Sequence, residues 1–434
     1  MENPQQQPAI DDYARERVPD DVSSSGFHLA LIIIGGTIGF AVFLVAAQIG
    51  GSLGYVRAGF AFALGSLVLG AMGATTSYVG AKTRFSTYLL TEFAFGRDGA
   101  KIANLAIALS LIGWYGVISN FLGQAAQQVL LESFGFNVSP YITVLVASTL
   151  MITITAMGFT GIDKLALVLV PFMVLFILYA AFISLNREGS GGAFDVENSF
   201  TFQTAVSAVI GSYIAGVVIQ PDYSRFAVNT RQAIWSVFIA LGVIFPLVQF
   251  FSAIPSMATG EPNLLTVMVT LGVAVPAFFL LLLGAWSSNV LCLYSSGLSI
   301  ATVAKKIHLV HIIVSIGIIG TAIALVPAQT YLINFLVLLG VTIPPIGAIY
   351  IVEAMFVRRF SMNIGDLQNE GAVNYSAFMA WGLAALAGYL SESGIFGIVN
   401  ISSIDSLIVS TLVYVVLNWA RANDVRYPTR GKQL

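Results

Sequence analysis

Twelve hydrophobic stretches run the length of this 434-residue chain, with short polar breaks between them. Each is close to or longer than the roughly 20 residues one helical crossing of a bilayer needs. They occupy residues 27–49, 56–79, 102–130, 140–160, 164–185, 202–220, 232–256, 275–303, 308–327, 329–356, 375–391 and 396–420, numbered spans 1 to 12 below. Lipid offers backbone amides no hydrogen-bond partner, so such spans must be helical. Charged residues are 9% of the chain and hydrophobic ones 57%, against about 25% charged in soluble domains. One soluble core cannot hide that much apolar surface. The sequence predicts an all-α integral membrane protein with twelve transmembrane helices.

Lysine and arginine test the count, because cytoplasmic loops hold the excess of both. With the N-terminus inside, 17 of the 19 fall in cytoplasmic segments, and only Arg57 and Arg187 fall outside. A miscount by one span would reverse the bias for everything after it. Both termini are therefore expected inside, in a plasma (inner) membrane. Residues 1–25 hold six acids but only Arg15 and Arg17, unlike the basic start and immediate apolar run of a cleaved signal. They are expected to form a disordered cytoplasmic tail, followed by a transmembrane body at 26–420 and a second cytoplasmic tail at 421–434. Residues 81–101 mix apolar and charged side chains and suit either a packing element or a helix along the inner surface; the short run 263–271 suits the same two readings outside.

Several chemistries are excluded. A net charge of −2 leaves no basic footprint for nucleic acid. The lone Cys292 permits neither a disulfide framework nor a cysteine-based metal site. His28, His308 and His311 are scattered near span ends, no GxxxxGK[ST] loop is present, and the GxSxG match at Gly50–Gly54 sits in an apolar helical stretch and not at a strand-to-helix elbow. No cofactor is expected. Without a convincing acid, base, nucleophile or metal set at the centre, the chain does not read as an enzyme.

Two spans look discontinuous. Span 1 carries GGTIG, Gly35 to Gly39, and span 6 carries GSYIAG, Gly211 to Gly216, followed by Gln220-Pro221-Asp222. Glycine leaves a helix readily, and proline cannot donate the helical amide bond. Glycine also serves close packing in membrane helices, so either segment alone is ambiguous. Their positions favour the functional reading, since each opens a group of five spans. Interrupted segments at corresponding places of two halves point to an inverted repeat and a central site in secondary transporters. The repeats would cover about 27–185 and 202–356, with two extra helices at about 375–420.

Polar groups inside the membrane are costly and therefore candidate sites. Span 3 places Trp114 between Gly113 and Gly116, with Asn120 and Gln124 further along. Span 8 carries Trp286-Ser287-Ser288-Asn289 and then Tyr294-Ser295-Ser296-Gly297. Hard cations prefer oxygen ligands, so Ser287 and Ser288 with carbonyls freed in span 1 suit a sodium site. Helix–helix hydrogen bonding is the alternative for the same hydroxyls. Asp222 precedes Arg225 by three residues, and Glu353 lies just before Arg358 and Arg359. Both acids suit structural ion pairs. Asp405 suits a solvated position at the outer half of span 12.

Taken together, VGAKTRFSTYLLTEFAFG, LIGWYGV, GSYIAGVVIQPDYSRF, WSSN…LYSSGL and IPPIGAIYIVE, in this order over about residues 30–360, resemble the cytosine permease branch of the nucleobase:cation symporter-1 family. The resemblance implies a five-plus-five inverted repeat of the LeuT type plus two helices. It implies sodium-driven uptake of a nucleobase or related heterocycle by alternating access. It assigns the ring-stacking tryptophan to Trp114, further substrate contacts to Ser212, Tyr213 and Asn289, and the sodium ligands to the carbonyls of Gly35 and Ile38 with the hydroxyls of Ser287 and Ser288. Departures from the cytosine permease pattern fall at Leu111, where that branch has glutamine, at Gly39, where it has an aromatic, and at Ala215, Val290 and Leu291. Lost hydrogen-bond partners change specificity by orders of magnitude, so cytosine itself does not follow. The alternatives are a proton-coupled or uncoupled transporter of another small amine or amide, and a membrane ligand sensor.

Overall fold

The computed structural model describes residue 13 and residues 16–38, 40–156, 162–186, 200–259, 267, 274–304 and 307–424. Among them helices lie over every one of the twelve hydrophobic stretches. The order is α1 (Gly26–Thr37), α2 (Phe40–Thr83), α3 (Thr87–Phe95), α4 (Gly99–Phe134), α5 (Pro140–Ala156), α6 (Ile162–Leu185), α7 (Phe202–Val218), α8 (Pro221–Ser224), α9 (Thr230–Phe238) and α10 (Phe245–Thr259), then α11 (Ala274–Val303), α12 (Leu309–Ala324), α13 (Ala328–Thr342), α14 (Pro344–Val352), α15 (Tyr375–Glu392) and α16 (Ser402–Leu417). Five helical runs are long and apolar enough to cross a membrane by length and composition: 42–83, 99–134, 202–224, 230–259 and 330–357. No β-strand occurs among the described residues; one isolated parallel bridge pairs Ser24 with Ala227.

Local chemistry sets the ends. Ser25, Ser86, Thr201 and Asn229 each accept a backbone N–H of the first turn they precede, the usual N-cap arrangement. The 44 residues of α2 are two helices joined at Gly54, whose φ of 70° needs glycine. α1 stops at Thr37, and Ile38 takes extended backbone (φ −90°, ψ 93°) before helix resumes at Phe40. α7 behaves otherwise. It stays helical through Gly211 and Gly216 and leaves helical geometry only at Ile219, just before Pro221. A Cβ on Gly211 would lie 2.0 Å from the Leu336 carbonyl oxygen. That glycine is therefore required by the close approach of α7 to α13, and the expected break at 211–216 falls instead at 219–220.

Helix packing divides most of the chain into two groups. α1, α2, α7, α9 and α10 pack on one another, and α4, α5, α11 and α12 form the other group. α13 touches both, while α15 and α16 pair outside them. The α3 segment within 81–101 is buried along almost its whole length, so it packs inside the protein. The outer run 263–271 lies, apart from Val267, outside the described residues.

Three expectations about polar residues change. Residues 16–25 are docked, not disordered: Val18 is fully buried, its N–H donates to the Arg84 carbonyl, and Arg84 Nη1 donates to the carbonyls of Pro19 (2.9 Å) and Val22 (3.2 Å). A guanidinium with several donors gathers a strap of carbonyls that no hydropathy argument foresees. Asp405 is 1% exposed, accepting from Ser391 Oγ at 2.7 Å and the Val399 N–H at 2.8 Å. It organises the turn between α15 and α16 instead of meeting solvent. Asp222 and Arg225 form no ion pair among the described residues; Arg225 Nε donates to the main-chain carbonyl of Asp222 (3.1 Å). Glu353 does pair as expected, with Arg358 Nε at 2.7 Å, and is joined by Arg421 at 3.5 Å and the Tyr414 hydroxyl at 2.9 Å.

Candidate functional site: a central uncharged cavity

A cavity of about 100 Å³ lies between the two helix groups, beside the end of α1. α4 contributes Leu111 and Trp114, and α7 contributes Ser212, Tyr213 and Ala215. α11 contributes one face, Ala285, Ser288, Cys292 and Ser295. Those four recur every three or four residues, the spacing of one side of a helix. Among the described residues no carboxylate, ammonium, guanidinium or imidazole lines the cavity. Its polar groups are hydroxyls and one thiol in an otherwise aliphatic and aromatic wall.

Trp114 is 6% exposed, and its ring meets Phe335 edge-on at 5.5 Å, which fixes the indole plane. Gly113 beside it leaves room for that same Phe335, whose ring would lie 2.7 Å from a Cβ there. Tyr213 packs against Phe245 and turns its hydroxyl toward Gly36, where a Cβ would lie 3.3 Å from it. The glycine admits the tyrosine, which makes no hydrogen bond to any described residue. Ser212 spends its hydrogen on the Val209 carbonyl at 2.7 Å, leaving oxygen lone pairs. Ser288 is 8% exposed, lines the cavity, and makes no hydrogen bond among the described residues.

The residues expected at the site divide accordingly. Trp114, Leu111, Ser212, Tyr213 and Ser288 line the cavity. Asn289 does not: fully buried, it donates from Nδ2 to Ser119 Oγ of α4 at 3.0 Å. One residue along a helix is a rotation of about 100°, enough to turn it from cavity to neighbour. The Ile38 carbonyl oxygen sits 3.2 Å from where a Cβ on Gly284 would be, one turn before Ser287 and Ser288. Gly35 is buried directly before cavity-lining Gly36. Gly39 and the side chain of Ser287 lie outside the described residues. Of the departures, Ala215 and Leu291 line the cavity, whereas Val290 does not.

Cys292 and Tyr223 are cavity residues that sequence reasoning missed, whereas Ser295 is one of the span 8 polar residues it singled out. Stepping four residues from Ser288 along α11 would have found Cys292. Among the described residues no group of three or more His, Cys, Asp or Glu side chains could hold a metal.

Comparison with known proteins gives the family and the fold. The family model described as permeases for cytosine/purines, uracil, thiamine and allantoin matches residues 24–416. The cytosine permease of Escherichia coli K12 is 27% identical over 415 residues, 94% of each chain. The allantoin permease of Bacillus subtilis 168 is 23% identical over 81% of each. In fold the chain is similar to Mhp1, a nucleobase-cation-symport-1 family transporter solved with bromovinylhydantoin bound (TM-score 0.80, 18% identity, 96% of each chain). It is also similar to a Na+-coupled sialic acid symporter (TM-score 0.67, 14% identity, 96% of this chain and 93% of that one). These relatives are transporters and not enzymes, and the apolar helices agree with a multi-pass membrane protein. The chain belongs to the cytosine/purine, uracil, thiamine and allantoin permease family, the cytosine permease-like branch of the nucleobase:cation symporters.

Proposed function

We propose that this protein is a sodium-coupled importer of a small, uncharged, planar heterocycle, a nucleobase or a relative of one. The carrying observation is the uncharged cavity bounded by Trp114 and Tyr213 where α1 ends. A flat neutral ring gains most from an aromatic face and a few directed hydrogen bonds in an apolar pocket. Here the indole of Trp114 offers the face, while Tyr213, Ser288 and Cys292 offer the polar contacts. Leu111 replaces an amide that would read a pyrimidine edge, so cytosine is expected to bind less well than a heterocycle with an apolar substituent.

Sodium is cargo in this scheme. The carbonyls of Gly35 and Ile38 at the end of α1 and the hydroxyls of Ser287 and Ser288 on α11 are its proposed ligands, all oxygen as a hard cation prefers. They belong to the two helix groups on either side of the cavity. A cation held there favours one arrangement of the groups, and coupling requires that differential binding. The positive-inside count supports both termini in the cytoplasm of a plasma (inner) membrane.

The test is a thermal-shift screen of purified protein against nucleobases, hydantoins and allantoin, in sodium and in potassium. A ligand that binds the folded state raises the midpoint by mass action. A hit that requires sodium supports substrate class and coupling together. A hit indifferent to sodium moves coupling to protons or to none, and the absence of any hit refutes the substrate class.

A further inference from the structure

A second cavity of about 50 Å³ adjoins the central one, sharing Ile219, Tyr223, Leu291 and Ser295 as wall. It lies on the side that the lysine and arginine count assigns to the cytoplasm. Its chemistry differs. The central wall carries no ionic side chain, whereas this chamber is lined by Asp222 and Arg225, with Asn104, Thr87 and Ser299. Arg225 is 2% exposed and Asn104 2%.

The two charges stand one helical turn apart without pairing. Asp222 Oδ1 accepts the Thr87 N–H at 2.8 Å, while Arg225 uses Nε on the Asp222 carbonyl and Nη1 on the Tyr13 carbonyl. Nη2 of Arg225 makes no hydrogen bond among the described residues, and the Asp222 carboxyl is met there only by Thr87, through its backbone N–H and its nearby hydroxyl. Asn104 spends its amide hydrogens on Thr91 Oγ1 and the Ala100 carbonyl, leaving its oxygen over. Buried charge with unspent hydrogen-bonding capacity is costly unless something fills it. An acceptor-only carboxylate beside a donor-only guanidinium matches one ligand edge, a ring N–H next to a ring carbonyl.

We propose that this chamber is a second, release-side binding site for the amide edge of the transported heterocycle, resting on the function proposed above. The partition is the Tyr223 hydroxyl against Ser295 Oγ, at 3.5 Å a long hydrogen bond between α8 and α11. Turning Tyr223 off Ser295 joins the two spaces. The ring then exchanges stacking on Trp114 for a donor–acceptor pair at Asp222 and Arg225.

The experiment titrates full-length protein with radiolabelled hydantoin, allantoin and cytosine, then measures exchange in proteoliposomes with whichever probe binds. Wild type is expected to show two classes of binding. Asp222→Asn, nearly isosteric, is expected to lose the weaker class and slow exchange about tenfold or more, the loss when a charge-assisted hydrogen bond goes. Two results overturn the proposal: a single saturable class in wild type, decisive even if the variant does not fold, or wild-type exchange by folded Asp222→Asn. Failure of wild type to bind any of the three probes overturns the central-cavity reading and the chamber with it. Binding in one class only overturns the chamber alone.

Discussion

Trp114 gives the sharpest quantitative test of the central cavity. The indole borders the cavity, is held edge-on by Phe335 at 5.5 Å, and is 6% exposed. Stacking of a base-like ring on an aromatic side chain is worth about 1–3 kcal/mol by alanine substitution. At about 1.4 kcal/mol per decade, Trp114→Ala should weaken substrate binding roughly five- to 150-fold. The edge-on contact with Phe335 is lost as well, worth about 0.5–1.5 kcal/mol. That second loss belongs to the folded state and lowers Tm instead of affinity. Trp114→Phe separates the two by keeping a ring in the same wall, so most of the binding should survive. Equilibrium binding of the best ligand to purified protein, with Tm recorded in parallel, reads both effects. A folded Trp114→Ala protein binding within twofold of wild type refutes the stacking assignment.

Three further outcomes are expected. Glu353→Gln should lower Tm markedly. Removing one partner of a buried ion pair costs about 3–5 kcal/mol, and retention of Glu370 by Arg358 at 2.7 Å places the loss near the lower end. An unchanged midpoint would mean the cluster around Glu353 contributes no net stability. Gly211→Val must push α7 off the Leu336 carbonyl, at an overpacking cost of about 1–3 kcal/mol or more. Full yield and unchanged Tm would contradict the close approach. Ser288→Ala should raise the sodium concentration for half-maximal ligand binding several-fold, and a superimposable sodium curve would remove Ser288 from the cation site.

Much of the architecture is legible in the sequence because one solvent, lipid, imposes one answer on every apolar stretch. The helices fall where hydropathy puts them, and Glu353 finds Arg358 five residues along. Legibility ends where rotation about a helix axis decides the outcome. Ser288 and Asn289 are neighbours in sequence, yet one borders the cavity and the other bonds to Ser119. Gly211 carries the same sequence signal for a broken helix as for a tight crossing; only the position of Leu336 tells them apart. Asp222 and Arg225 have the spacing of a helix-face pair, but Pro221 starts a short turn in which the guanidinium reaches the main-chain carbonyls of Asp222 and Tyr13. Asp405 looks solvated by its position near a span end, and is buried because Ser391 and the Val399 amide close over it.

The central claim is coupled transport, and uptake into proteoliposomes tests it most directly. Purified protein is reconstituted with potassium inside, and the radiolabelled ligand from the stability screen is added outside in sodium or in potassium. The account predicts saturable accumulation above the outside concentration with an inward sodium gradient, collapsing when sodium is equal on both sides. Equal uptake in sodium and potassium, or binding without accumulation, would contradict it.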